Sequence, residues 1–151
     1  MNRMALLVVG VAGLTALAGA PAEAAGAATT GQTVTSCGSA GLQAGLSTRL
    51  CADVTDGVVE FYGKVGLAGP PSPGSPAPAP KDLFTTLSAE VVGSGLAPVT
   101  QDRQVRFTAT PLEVRGVVTT ASCGSTVRGT FGVASFPWSA RPVVHEVTIT
   151  C

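Results

Sequence analysis

Charged residues are scarce in this sequence. Only 12% of its 151 residues are Asp, Glu, Lys or Arg, and nine basic residues balance nine acidic ones, so the formal net charge is zero. Nucleic acid and acidic membranes bind basic surfaces, because both carry dense negative charge. We therefore expect no nucleic acid partner, and no membrane partner once the leader described below is removed.

The residues that most often carry catalysis or bind metals are also few. His145 is the only histidine, no GxSxG or similar nucleophile motif occurs, and no two cysteines have the CxxC spacing. A Ser–His–Asp hydrolase needs a placed nucleophile, and a zinc site needs closely spaced ligands. We therefore predict that the protein is not an enzyme, with no catalytic residues, no metal and no cofactor.

His145 still requires a choice between two roles. It alternates in phase with Val143 and Val147, so we expect it to face inward. A histidine at a packed position more often makes a structural hydrogen bond than a catalytic one. A catalytic His145 would have to lie at an open cleft.

One pair of carboxylates has the spacing of a catalytic site. Asp53 and Glu60 should face each other across a hairpin, about 5 Å apart, which is the separation a retaining glycosidase needs. An exposed sheet offers no pocket that could shift a carboxyl pKa. We therefore expect a solvated pair, or one whose repulsion is relieved by Arg49 or Lys64.

The first 24 residues resemble a secretory signal peptide in layout. The basic start MNR precedes the apolar stretch MALLVVGVAGLTALAGA and then Ala22-Glu23-Ala24, a small-x-small cleavage site. A retained membrane anchor is the alternative, but the apolar run is short and no basic stop-transfer cluster follows it. We predict cleavage after Ala24 and a secreted, extracellular chain of residues 25–151. The richness in Ala, Gly, Pro and Arg indicates a bacterial source.

Four cysteines remain in that exported chain, and an even number there predicts disulfides. The tetrapeptide SCGS begins at residue 36 and again at residue 122, so each half of the chain has one such turn followed by a second cysteine. This repetition favours the local pairs Cys37–Cys51 and Cys123–Cys151 among the three pairings that four cysteines allow.

The clearest secondary-structure signal is a hairpin around Asp56-Gly57, a favoured two-residue turn. Pairing about this turn places Val54 opposite Val59 and Ala52 opposite Phe61. The apolar residues of both strands then share one face, and a one-residue slip would destroy that agreement. The register of this hairpin is therefore predicted by two independent features.

Alternation of apolar and polar residues recurs along the rest of the chain, interrupted by short Gly, Pro and Asp turns. About eight short strands result. We predict an all-β fold, an antiparallel β-sandwich of immunoglobulin-like or related Greek-key type, with a closed β-barrel as the alternative.

Residues 69–80 read GPPSPGSPAPAP, and six of these twelve residues are proline. Such a run cannot join a sheet, because proline has no backbone N–H to donate. The part before it is too small to bury a core of its own. We therefore predict one β domain over residues 25–151, with residues 69–80 as an exposed loop.

The only tryptophan, Trp138, lies with Arg141 between two prolines, and Phe136 directly precedes the first of them. These three residues are candidate binding residues, because Trp and Arg are enriched in interface hot spots. Alternatively, Trp138 plugs one end of the sandwich with Arg141 stacked over its ring.

Two functions fit these features. We predict a small disulfide-stabilised, non-enzymatic module whose loops bind an extracellular protein, glycan or small molecule. The alternative is a secreted protease inhibitor, which would present an exposed segment near Cys123 or Trp138 to an enzyme.

Overall fold

A computed structural model of the chain describes residues 31–150, which form two antiparallel β-sheets. The strands are β1 (Val34–Cys37), β2 (Gly41–Gln43), β3 (Leu46–Thr55), β4 (Val58–Leu67), β5 (Lys81–Val91), β6 (Val99–Phe107), β7 (Leu112–Thr120), β8 (Thr126–Ala134) and β9 (Val143–Thr148). The first sheet has the order β1-β3-β4-β7, with β2 also paired to β3, and the second has the order β6-β5-β8-β9. The predicted β-sandwich is confirmed: residues 31–150 form nine strands rather than about eight, in two separate sheets rather than one closed sheet.

The β3–β4 hairpin has the predicted register. Val54 lies opposite Val59 and Ala52 opposite Phe61. Both turn residues have positive φ, 49° at Asp56 and 79° at Gly57, as the right-handed twist of the two strands requires. The local signals were sufficient here because turn and alternation specify the same pairing.

Two phenylalanine rings fill the space between the sheets, and each packs on a glycine of the opposite sheet. Phe61 of β4 and Phe131 of β8 have no exposed surface. A Cβ on Gly63 would lie 2.2 Å from Cζ of Phe131, and one on Gly129 would lie 2.5 Å from Cδ1 of Phe61. Any side chain at either glycine would therefore displace a buried ring.

Cys37 and Cys51 are directly opposite each other on β1 and β3 and are joined by a disulfide, so the first predicted pair is confirmed. The second, Cys123–Cys151, stays a prediction because Cys151 lies outside the described residues. Backbone hydrogen bonds do bring the turn after Cys123 next to the end of the chain, since Gly124 N–H donates to the Ile149 carbonyl at 2.7 Å. Peptide mapping without reduction would test the link.

Residues 69–80 join β4 of the first sheet to β5 of the second, and every one of them is exposed. Residues 31–150 contain no helix with the length and apolar character that a membrane span requires. The predicted leader, residues 1–24, lies outside the described part of the chain.

Candidate functional site

Three exposed apolar side chains lie at the end of the sandwich where β2 turns into β3 and β8 ends. Leu42 is 67% exposed, Phe136 96% and Trp138 64%, and we call these three residues the aromatic patch. Leu42, Trp138 and Arg141 line one shallow cavity of about 230 Å³. The structure therefore brings two of the predicted binding residues together, and it adds Leu42, which the sequence did not single out.

A short, closed turn presents the aromatic side chains. The N–H of Ser135 donates to the carbonyl of Trp138 at 3.0 Å, which leaves Phe136 and Pro137 at the tip. The Ser135 hydroxyl also donates to the carbonyl of Asp82 at 3.0 Å, which ties the turn to β5. Phe136 and Trp138 consequently project from an ordered backbone.

The buried side-chain amide of Gln43 hydrogen-bonds to both sheets and to the loop after Trp138. Its nitrogen donates to Thr48 Oγ1 at 2.9 Å and to the Phe131 carbonyl at 3.0 Å. Its oxygen accepts from the N–H groups of Val133 at 2.9 Å and Arg141 at 3.1 Å. All four hydrogen-bonding positions of the amide are thus used, and the loop beside Trp138 is fixed to the sandwich.

Gln43 occupies the place of a missing strand residue. Pairing of β9 with β8 begins at Val143, the first residue of β9, which lies opposite Phe131. Val133 of β8 therefore has no residue of β9 opposite it. An unpaired backbone N–H or carbonyl in a protein interior is costly. The side chain of Gln43 meets this need from the other sheet, and no sequence pattern indicated it.

The interpretation of Trp138 as a core plug is wrong. Its side chain is mostly exposed, and the cation–π contacts among residues 31–150 involve Tyr62 instead of Trp138. At this end the buried amide of Gln43, not the indole, bridges the two sheets, and the closed turn at Ser135 carries the exposed indole. The exposed indole is available for the binding role, which stays a prediction.

Trp138→Ala should therefore leave the free energy of unfolding within about 0.5 kcal/mol of wild type, as for other surface substitutions. Urea unfolding followed by circular dichroism measures this. Because Trp138 is the only tryptophan, native fluorescence should also lie close to the emission of the unfolded chain. Blue-shifted native emission with a loss of about 3–5 kcal/mol in the variant would contradict the exposed placement.

An open cleft of about 740 Å³ lies between the edge strands β1 and β9. His145 is half-buried there, and its Nε2 lies 2.9 Å from Oγ of Ser36. The expected structural hydrogen bond is therefore present, with a partner that the sequence did not indicate. It joins the edge of one sheet to the edge of the other.

A Ser–His pair at a cleft raises the question of catalysis. In a hydrolytic triad a carboxylate orients the imidazole through its second nitrogen. Asp56 lines the same cleft, but among residues 31–150 the only side-chain hydrogen bond of His145 is the one to Ser36. The pair thus lacks the group that would hold His145 as a general base.

Burial lowers the pKa of His145 from its ordinary value of 6.5. The folded state therefore disfavours the protonated imidazole. The free energy of unfolding is at its full value above pH 6.5 and decreases as the pH falls below 6.5. We expect the melting temperature to fall between pH 7.5 and 5.5, and to fall less in His145→Gln. Equal pH dependence in both proteins would contradict this assignment.

Asp53 and Glu60 are directly opposite each other, as predicted, but Arg115 of β7 relieves their repulsion rather than Arg49 or Lys64. Nη1 of Arg115 lies 3.3 Å from Asp53 Oδ2 and 3.5 Å from Glu60 Oε1. The guanidinium occupies the space that a glycosidic bond would need between the two carboxylates. This arrangement makes the pair part of an ion cluster.

Tyr62 forms the base of this cluster. The Arg115 guanidinium carbon lies 3.9 Å from the centroid of the Tyr62 ring. The ring is almost fully buried but is not part of the core cluster between the sheets. Burial, followed by the charge of Asp53, raises the pKa of the Tyr62 hydroxyl. The sequence missed this contact because Tyr62 and Arg115 meet only through the pairing of β4 with β7.

Residues 31–150 contain no group of three or more His, Cys, Asp or Glu side chains placed to hold a metal ion. The features above define a disulfide-linked β-sandwich whose strongest candidate site is an exposed apolar patch on a fixed loop. Comparison with protein-family models, with curated proteins and with solved structures finds no match to this chain.

Proposed function

We propose that the chain is a secreted, non-enzymatic β-sandwich module that binds an extracellular protein through the aromatic patch. The observation that carries this proposal is the combination of exposed Phe136 and Trp138 with the fixed backbone at Gln43. Aromatic side chains contribute strongly to interface hot spots. A loop that is already ordered loses little conformational entropy when a partner binds.

The compartment and the fold family belong to the same proposal. The Cys37–Cys51 disulfide supports an oxidising extracellular location, reached through the leader at residues 1–24 of a bacterial chain. The pairings β4–β7 and β5–β8 join strands that are not consecutive in the chain, which supports an immunoglobulin-like or related Greek-key topology.

The protease-inhibitor alternative has weaker support from the geometry. Such an inhibitor presents an extended segment to its enzyme, whereas both candidate segments are closed turns. In the segment near Cys123, Ser125 N–H donates to the Ser122 carbonyl at 3.0 Å, and the segment near Trp138 is closed by the Ser135–Trp138 hydrogen bond. We therefore favour the binding module.

A pull-down tests the proposal. The protein is expressed with its leader, purified from the medium and immobilised, and it captures partners from culture medium and cell-surface extract of the source organism. The variant Phe136→Ala/Trp138→Ala should lose a protein that wild type captures. Leu96→Ala is the control, because Leu96 is 75% exposed in the segment between β5 and β6, at the other end of β5, and should leave capture unchanged.

A partner that the double variant still captures would contradict binding through the aromatic patch. Inhibition of a trypsin-like, chymotrypsin-like or subtilisin-like protease by the purified protein would instead establish the alternative function.

A further inference from the structure

We infer that the proline-rich run 69–80 of one copy binds the aromatic patch of a second copy, so that the module self-associates. This inference rests on the proposed role of the patch as a protein-binding site, and it names the partner. The two surfaces are complementary in shape preference and in hydrogen bonding, and their charges do not oppose the contact.

The run offers acceptors and flat proline rings. Its backbone turns once, where Ser75 N–H donates to the Ser72 carbonyl at 3.0 Å, and residues 75–80 then continue without regular secondary structure. Pro76, Pro78 and Pro80 have no N–H groups, so this part presents mainly carbonyls and rings. Such sequences favour the polyproline II conformation and dock on aromatic-lined grooves at low entropic cost.

The aromatic patch and the neighbouring Arg141 together offer an aromatic face and hydrogen-bond donors. The indole N–H of Trp138 and the guanidinium of Arg141 can only donate hydrogen bonds, and both line the shallow cavity beside Leu42. Among residues 31–150, neither of these two side chains is engaged in a hydrogen bond or an ion pair. A segment rich in unpaired carbonyls and without charge is the ligand that such a surface fits.

A second copy is a better source of the run than the same chain. Lys81, directly after the run, donates to the Ala44 carbonyl at 2.8 Å, which fixes the end of the run at the same end of the sandwich as the patch. Within one chain the run is exposed throughout and Trp138 is also exposed, so the run does not cover its own patch. Two copies could exchange runs reciprocally, and two such contacts strengthen each other.

Charge presents no obstacle to this association. The formal net charge is zero and residues 69–80 contain no charged side chain, so two copies do not repel each other strongly. Salt should therefore have little effect on self-association.

Sedimentation of the full secreted chain over a range of concentrations tests the inference. Wild type should form a dimer as the concentration rises. The dimer should weaken at least about tenfold in Trp138→Ala, a hot-spot effect, and equally in a variant whose residues 69–80 are replaced by twelve Gly and Ser residues. Leu96→Ala should dimerise as wild type does.

Mixing the two weakened variants provides a stricter test. The Gly/Ser variant keeps its aromatic patch, and Trp138→Ala keeps its proline-rich run. In the mixture the run of Trp138→Ala should bind the patch of the Gly/Ser variant and form a heterodimer through one contact. Neither variant alone should form a comparable homodimer. The peptide GPPSPGSPAPAP should also shift the Trp138 emission of the Gly/Ser variant to the blue. A peptide with alanine at every proline position should produce no shift.

Wild type that stays monomeric at all concentrations would overturn the inference, as would a Gly/Ser variant that dimerises normally. A concentration-independent blue shift of wild-type emission, absent in the Gly/Ser variant, would show that the run covers its own patch instead. If self-association fails but the pull-down still depends on Trp138, the patch binds a different protein and only this inference is lost.

Discussion

Phe131→Ala should lower the free energy of unfolding by about 3–5 kcal/mol, the usual range for removing a buried phenylalanine ring. Phe131 is fully buried and lies between the sheets at a point where the opposite residue is a glycine. Because Gly63 has no side chain, nothing from that position can move in to fill the cavity. Urea unfolding measures the loss, and Phe84→Ala on the exposed face of the adjacent strand should cost far less.

The contact with Gly63 can be tested separately. Gly63→Ala should be destabilising by about 1–3 kcal/mol, because its Cβ would overlap the Phe131 ring. Adding Phe131→Leu, which shortens the opposing side chain, should recover part of this loss. If the two substitutions are simply additive, the ring and the glycine are not in contact.

Gln43→Ala should destabilise the protein by about 3 kcal/mol or more. The substitution leaves the buried Val133 N–H and the buried Phe131 carbonyl without their partner, and each unsatisfied buried group costs about 1–3 kcal/mol. The bond to the exposed Arg141 N–H is lost as well. It also frees the loop that carries Trp138. We therefore expect partner capture and self-association to weaken together with stability.

Gln101→Ala is the matched control for Gln43→Ala. The Gln101 amide nitrogen makes one hydrogen bond, at 3.1 Å to the Arg115 carbonyl, near the surface. Water can replace that bond, so its loss should cost no more than about 1 kcal/mol. Similar losses for the two variants in urea unfolding would mean that the Gln43 network does not hold the two sheets together.

Local features of this chain were predictable because neighbouring residues determine them. The turn at Asp56-Gly57 and the alternation around it specified the β3–β4 register, and the repeated SCGS element indicated the Cys37–Cys51 disulfide. The number of strands was nearly right for the same reason. Composition also indicated an exposed run at residues 69–80, since nothing in it is large and apolar.

The candidate site depended on contacts between distant parts of the chain, which periodicity does not encode. Alternation says which face of a strand a residue occupies, but not which strand lies beside it. The placement of Arg115 between Asp53 and Glu60 follows from the pairing of β4 with β7. The partners of Gln43 follow from where β9 begins.

The sequence by itself determined the all-β class, the hairpin register and the chemical types available for binding. Only the tertiary structure decided that Trp138 points outward and shares a cavity with Leu42, which is 96 residues earlier in the chain. The physical reason is that an exposed and a buried indole can have the same local sequence. Which one forms depends on the contacts that distant residues make, and here the buried amide of Gln43, not the indole, bridges the two sheets.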